Sequence, residues 1–273
     1  MSISRTTVWF LNLLCFAVFL CLIALEPSHA EDITICTDLN YWYPYSYVEN
    51  KVAKGMHIDI AVKALSRLGY QPVFTPLPWK RCLQSIEDGR YNAVVSASYK
   101  PDRAQYIHYP PDAGSVKESE WRVMQVEYIV LVSSQNPYEF DGNPTTLPQP
   151  IMTPLGYSVA DDLKAMGVAV TTAPSIIQIV QALVRTGKGS IVTPPMNAKA
   201  LMNDPKVNNN VRINKLPFTS KSYFMGFSKK NPSVNLTEMQ KIWDEIAVIR
   251  KDETYMNQLY QKYSLTTDVK NAQ

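Results

Sequence analysis

The residues best suited to chemistry fall in four short groups along the chain. Asp38 follows Ile33-Thr34-Ile35-Cys36-Thr37 and precedes a loop carrying Tyr41, Trp42, Tyr43, Tyr45 and Tyr47. Trp79, Lys80 and Arg81 follow Pro78, and Ser96, Ser98 and Arg103 follow the run Ala93-Val94-Val95. Ser158 follows Gly156-Tyr157. An arginine facing a cleft can grip a carboxylate through two parallel N–H bonds, with serine hydroxyls donating or accepting around it. At a surface, Arg103 would instead pair with Asp102 or Glu118. Ser158 at a helix start suits an anion, and equally suits an ordinary N-cap. Asp38 could accept from a cationic or hydroxylated ligand, or hold the aromatic loop through backbone N–H groups. Tyr and Trp rings give a binding surface large contact area with a polar handle, although such rings also pack as small cores. Trp79 as core and Arg81 as an exposed charge remain the plain alternative.

Other chemistries find little support. Beyond residue 30 there are two histidines, His57 and His108. His57 opens a helical pattern and is expected at the surface, and His108 falls in a loop. Neither adjoins an evident nucleophile, so a Ser/His/Asp or Cys/His triad is not expected. No zinc-binding His-Glu-x-x-His, phosphate-cradling glycine loop or dinucleotide fingerprint occurs, and no metal or cofactor is expected. The net charge of +3 is spread over interspersed signs, which points away from nucleic acid.

Positioning these groups requires alternating strands and helices. Helical spacing of Ile58, Ala61, Val62, Leu65 and Leu68 predicts a helix closed by Gly69. A strand over 71–77, a helix from Trp79 to Gly89 and a buried strand over 91–97 complete a β-α-β-α-β half. Residues 100–120 read as loop and 122–133 as a long strand. After a Pro- and Gly-rich stretch, the order repeats: strands near 150–153, 168–171 and 190–193, with helices over 156–166, 174–186 and 195–202. Strands over 211–216 and 223–228, a helix from Pro232 to Arg250 and another capped by Asp252 close the chain, with a polar tail from Thr266. The alternation predicts an α/β protein with parallel sheets and a ligand site outside the strands' carboxyl ends.

The first 30 residues read as a secretory address. Val8–Leu25 is almost unbroken apolar sequence, and Ser28-His29-Ala30 forms a small-x-small cleavage site after Pro27. Cleavage after Ala30 would leave 243 of the 273 residues, enough for a substantial core. Cys15 and Cys21 would leave with it. Cys36 and Cys82 would remain, 46 positions apart, in a compartment that permits disulfides. A bridge is expected between them; two buried thiols or a redox pair are the alternatives.

From Ile33 to about Leu265 the chain resembles the family 3 periplasmic solute-binding proteins of the polar-amino-acid-binding type. The resemblance rests on Ile35-Cys36-Thr37-Asp38 with Tyr41 and Pro44-Tyr45, on Gly55-Met56-His57-Ile58-Asp59-Ile60, on Ser96 to Arg103 ending in Pro101-Asp102-Arg103, and on Gly226-Phe227-Ser228-Lys229-Lys230. Pro78-Trp79-Lys80-Arg81-Cys82-Leu83, paired with Cys36, resembles a divergent Gram-negative branch. The resemblance implies a two-lobed periplasmic binding protein fold of type II, each lobe a mostly parallel sheet flanked by helices, with two chain crossovers. Lobe one would hold 31–120 and 222–273, lobe two 126–216, and the hinge 121–125 and 217–221. It also implies that Arg103 anchors a ligand carboxylate, with Ser158 supporting it from the other lobe and Asp38, Tyr41, Tyr45, Trp79, Arg81, Ser96, Ser98 and Trp121 completing the site. The expected partners are a small solute and an inner-membrane ABC permease or sensor, with the protein itself a monomer.

Two departures stand out. The segment over 92–103 is about one residue short of the family pattern. Pro194-Pro195 stands where amino-acid binders carry an acid for the α-ammonium. Losing that contact removes about 1.5–3 kcal/mol, so an organic anion stacked on Tyr41, Trp42 or Trp121 competes with an amino acid. A lyase resembling cyclohexadienyl dehydratase uses the same fold and is the alternative function.

Overall fold

The computed structural model describes residues 31–195, 204–231 and 233–263. The leader expected over 1–30, the helix expected over 195–202 beyond Pro195, and the polar tail expected from Thr266 lie outside the described residues.

In chain order the elements are β1 (Glu31–Asp38), β2 (Tyr47–Glu49), β3 (Val52–Lys54), α1 (Met56–Arg67), β4 (Tyr70–Leu77), α2 (Trp79–Glu87), β5 (Ala93–Ser98), α3 (Pro101–Ala104), β6 (Ile107–His108) and β7 (Met124–Ser133). The second half supplies β8 (Ile151–Pro154), α4 (Ser158–Ala165), β9 (Val170–Ala173), α5 (Ile176–Thr186), β10 (Ser190–Thr193), α6 (Pro205–Asn208), β11 (Val211–Ile213), β12 (Thr219–Ser228), α7 (Leu236–Lys251) and α8 (Glu253–Lys262).

One sheet runs β4-β1-β5-β12-β7-β10-β8-β9, with β6 on β12 and β11 on β7. The expected parallel pairings are present: β1 with β5, and β8 with both β9 and β10. The two long strands join the halves antiparallel. β12 pairs with β7 over Thr219–Tyr223 and with β5 over Tyr223–Phe227. β7 then carries β10 along Ile129–Val132. Tyr223 therefore stands where β12 changes partners.

Local sequence accounts for these elements. β1 buries Ile33, Ile35 and Cys36, and β5 is buried along its whole length, as suits a strand covered on both faces. Cys36 and Cys82 form a disulfide with Cα atoms 5.6 Å apart, tying β1 to α2. α5 is N-capped by Ser175 and ends at Gly187 in a left-handed conformation. α7 begins four residues later than Pro232, at Leu236. A capping box between Asn235 and Glu238 satisfies its first N–H groups and so sets that start. The hairpin β2–β3 was not expected from the sequence. Its turn residues Asn50 and Lys51 both take positive φ, and only asparagine signals that conformation.

Candidate functional site

Asp38 ends β1, Ser98 ends β5, and Ser158 opens α4 after β8. The strands' carboxyl ends thus bring these three residues to one cavity. It is lined by Asp38, Trp42, Trp79, Ser96, Ser98, Arg103, Tyr157, Ser158 and Tyr223. All nine are buried. The cavity volume is only about 20 Å³, room for about one water.

Arg103 lies on the short α3 and is 4% exposed. Its guanidinium donates to Ser98 O at 3.0 Å, Ser98 Oγ at 3.2 Å and Gly156 O at 2.8 Å. It also stands 5.5 Å from the Trp79 ring centroid, a cation–π distance. Each of these oxygens is neutral; Arg103 pairs with neither Asp102 nor Glu118. A buried cation held only by neutral dipoles keeps a strong attraction for an anion.

The other wall meets it directly. Trp79 Nε1 donates to Gly156 O at 3.2 Å, and Ser98 Oγ bonds Ser158 Oγ at 2.8 Å. Gly156 has φ +81°, and a Cβ there would stand 3.2 Å from Trp79 Cδ1, so glycine permits this approach. Ser158 is the first helical residue, and Tyr157 takes the N-cap position without a side-chain cap. The Ser158 hydroxyl therefore serves the cavity, accepting from Lys221 Nζ at 3.0 Å as well as bonding Ser98. Lys221 in turn pairs with Asp162, and Lys100 with Asp161.

Asp38 holds the aromatic loop, and its second oxygen meets a protein hydroxyl. One oxygen accepts from Asn40 N at 3.0 Å and so holds the loop; the other accepts from Tyr157 OH at 3.2 Å inside the cavity. Burial pushes its carboxyl above the usual range, opposed by the bonds from Asn40 and Tyr157. Burial likewise raises the Tyr157 hydroxyl and lifts that of Tyr223 to about 12.

Four residues expected at the site lie off the cavity. Tyr41 is 51% exposed and stacks on Tyr43 at 6.0 Å. Tyr45 is buried against Trp42 and His57, behind the lining. Arg81 is exposed on α2. Trp121 donates to Asp244 Oδ1 at 2.7 Å and packs toward α7. Trp42, expected as a stacking ring, and Tyr157, within the stretch 156–158 expected at the cleft, line the cavity, and Tyr223 joins them without a sequence motif to mark it. β12 is buried without a break from Ser222 to Ser228, so strand alternation carries no signal for Tyr223.

His57 corrects a second expectation. It is fully buried and not at the surface, and it does adjoin a hydroxyl: Nδ1 lies 2.7 Å from Ser96 Oγ. Its signal was helical spacing, since His57, Ile60, Ala61 and Ala64 share one face and all four are buried. Burial drops the imidazole to about 3, so it is neutral at ordinary pH. His108 stands on β6, paired with Phe227, away from the cavity. Among the described residues no His, Cys, Asp and Glu group could hold a metal ion.

Residues 33–266 match the model of the bacterial extracellular solute-binding proteins, family 3, and the chain belongs to that family. No curated protein matches the sequence. Among solved structures, an ancestral arginine-binding protein bound to arginine is similar at TM-score 0.66 and 18% identity, over 86% of this chain and 99% of that one. An ancestral amino-acid-binding protein, a precursor of cyclohexadienyl dehydratase, gives TM-score 0.62 and 19% identity over 85% and 95%. A histidine kinase sensor domain with similarity to periplasmic binding proteins gives 0.66 and 14% over 86% and 96%. These likenesses carry the fold, and the family makes the chain a solute-binding protein.

Proposed function

We propose that the cavity binds a small anionic solute through Arg103. The carrying observation is the buried guanidinium whose acceptors are all neutral oxygens, set among Ser96, Ser98 and Ser158. The solute enters when the contacts of Gly156 with Trp79 and Arg103, of Ser98 with Ser158 and of Asp38 with Tyr157 part. The parting is a hinge motion of lobe one, 31–120 and 222–273, against lobe two, 126–216. The bending segments are 121–125 and 217–221, which lead into β7 and β12. In the periplasm, after removal of residues 1–30, the loaded protein meets an inner-membrane permease or a sensor.

Among the described residues Asp38 is the one carboxylate lining the cavity, and it already accepts from Asn40 and Tyr157. Pro194, directly after β10, offers an α-ammonium no side-chain acceptor. A carboxylate whose other end is aromatic or acidic therefore fits better than an amino acid. Binding, with no reaction following it, suits a cavity whose neighbouring imidazole is too deeply buried to take a proton. Isothermal titration of residues 31–273 with L-arginine, L-glutamate, succinate and benzoate tests this. Heat of binding for an acid that vanishes in Arg103→Met supports it. Turnover of prephenate or arogenate by the purified protein would support the lyase alternative instead.

A further inference from the structure

The pair His57 and Ser96 has features that neither the fold nor the proposed anion site requires. Ser96 lies within β5, yet its φ is +70°, a conformation that non-glycine residues seldom adopt. Opposite it, the β5–β12 register shifts between Phe224 and Gly226. The strained residue lines the cavity, and behind it His57 Nδ1 stands 2.7 Å from its Oγ. His57 Nε2 is buried and has no hydrogen-bond partner among the described residues.

That orphaned atom discriminates between the two neutral tautomers. If Nε2 carried the proton, a buried N–H donor would have no acceptor. It would sit beside a second such donor, because Trp42 Nε1 is also buried without a partner, and the two rings pack edge to face at 5.4 Å. Orphaned buried N–H groups are rarer and costlier than an unused lone pair. If Nδ1 carries the proton, it donates to Ser96 Oγ and only a lone pair is left over.

We propose that His57 is a positioning residue: as the Nδ1–H tautomer it donates to Ser96 Oγ and so turns the Ser96 hydroxyl proton into the cavity. Ser96 then stands as a fixed donor lining the same cavity as the Arg103 guanidinium, and the solute group it meets is an acceptor, a carboxylate or carbonyl oxygen. Burial supports this by keeping the imidazole neutral, so it neither takes the serine proton nor becomes a second cation. The solute part of this inference rests on the anionic-solute proposal; the tautomer does not.

The experiment is long-range ¹H–¹⁵N correlation on ¹⁵N-labelled protein of residues 31–273. That chain has two histidines, so a His108→Gln sample assigns the signals. The expected result is a non-protonated Nε2 and a protonated Nδ1 on His57. A non-protonated Nδ1, or an imidazolium at pH 7, overturns the proposal. The second arm is titration with succinate, benzoate and L-glutamate. Ser96→Ala should weaken the tightest of these by about ten- to a hundredfold, the range of a hydrogen bond to a charged group. His57→Phe should weaken it less, and the double variant should bind no worse than Ser96→Ala alone. Additive losses would overturn the coupling. If none of the three acids binds, the anionic-solute proposal falls, while the nitrogen assignment still decides the tautomer.

Discussion

Replacing Arg103 by methionine should separate binding from stability. The guanidinium donates to Ser98 O, Ser98 Oγ and Gly156 O. Both carbonyl oxygens keep another donor when it is gone: Tyr109 OH reaches Ser98 O at 3.0 Å, and Trp79 Nε1 reaches Gly156 O at 3.2 Å. Ser98 Oγ keeps Ser158. No acceptor is orphaned, and replacing buried charge by an apolar chain of similar size is often neutral or stabilising. The thermal midpoint of Arg103→Met should therefore lie within about 4 °C of wild type, equivalent to roughly 1 kcal/mol at this chain length. Binding should behave differently. Two charge-assisted bonds to a carboxylate contribute about 1.5–3 kcal/mol each. Their loss should raise Kd by a hundredfold or more, on the order of 3 kcal/mol. Calorimetric titration with the tightest acid, alongside thermal melts of both proteins, reads the two quantities. A Kd within about threefold of wild type would refute the anchor. A collapse of the midpoint would show that Arg103 is a strut of the core and nothing more.

Removing the disulfide by the double variant Cys36→Ala/Cys82→Ala frees a loop whose ends are 46 residues apart. The chain-entropy model gives roughly 4 kcal/mol, so scanning calorimetry should record a fall of roughly 8–16 °C; an unchanged midpoint contradicts this. Asp38 has a folded-state carboxyl raised by burial, so the folded chain holds that proton more tightly than the unfolded one. Its cost to stability is full above the folded value and absent below the unfolded value of about 3.9. Asp38→Asn should therefore melt higher than wild type at pH 7, and melts between pH 4 and 8 should show the gain shrinking toward the acid end. A gain that grows with acidity would reverse the sign. Gly156→Ala combines a φ of +81° with a Cβ 3.2 Å from Trp79, a strain of about 1–2 kcal/mol. It should weaken acid binding several-fold by titration; unaltered affinity would show that the two walls need not meet at Gly156.

The chain's architecture was legible wherever periodicity is strong. The apolar centre of β5 and the helical spacing of α1 and α5 predicted buried strands and flanking helices, and a ligand site at the strands' carboxyl ends placed Asp38, Ser98 and Ser158 together. Loops were less legible, because tertiary contacts aim their rings. Trp121 turns to Asp244 on α7, and Tyr41 leans on Tyr43, and no spacing encodes either choice. His57 was misread because a polar residue near a helix start suggests solvent, although its helical neighbours Ile60, Ala61 and Ala64 marked the inner face. Ser96 could be named from its place after the apolar run 93–95, but its positive φ within β5, where the register against β12 shifts, could not, since no residue type signals it. Charge was legible only by type: the sequence offered Arg103 two acidic partners, and the fold gives it carbonyl and hydroxyl oxygens instead.

Native mass spectrometry of protein expressed from the full 273-residue sequence and purified without denaturation tests the proposed anion site most directly. The expected spectrum carries the mass of one small acid per chain, absent from Arg103→Met prepared the same way. A bound compound without an acid group, or an acid retained undiminished by Arg103→Met, would contradict it.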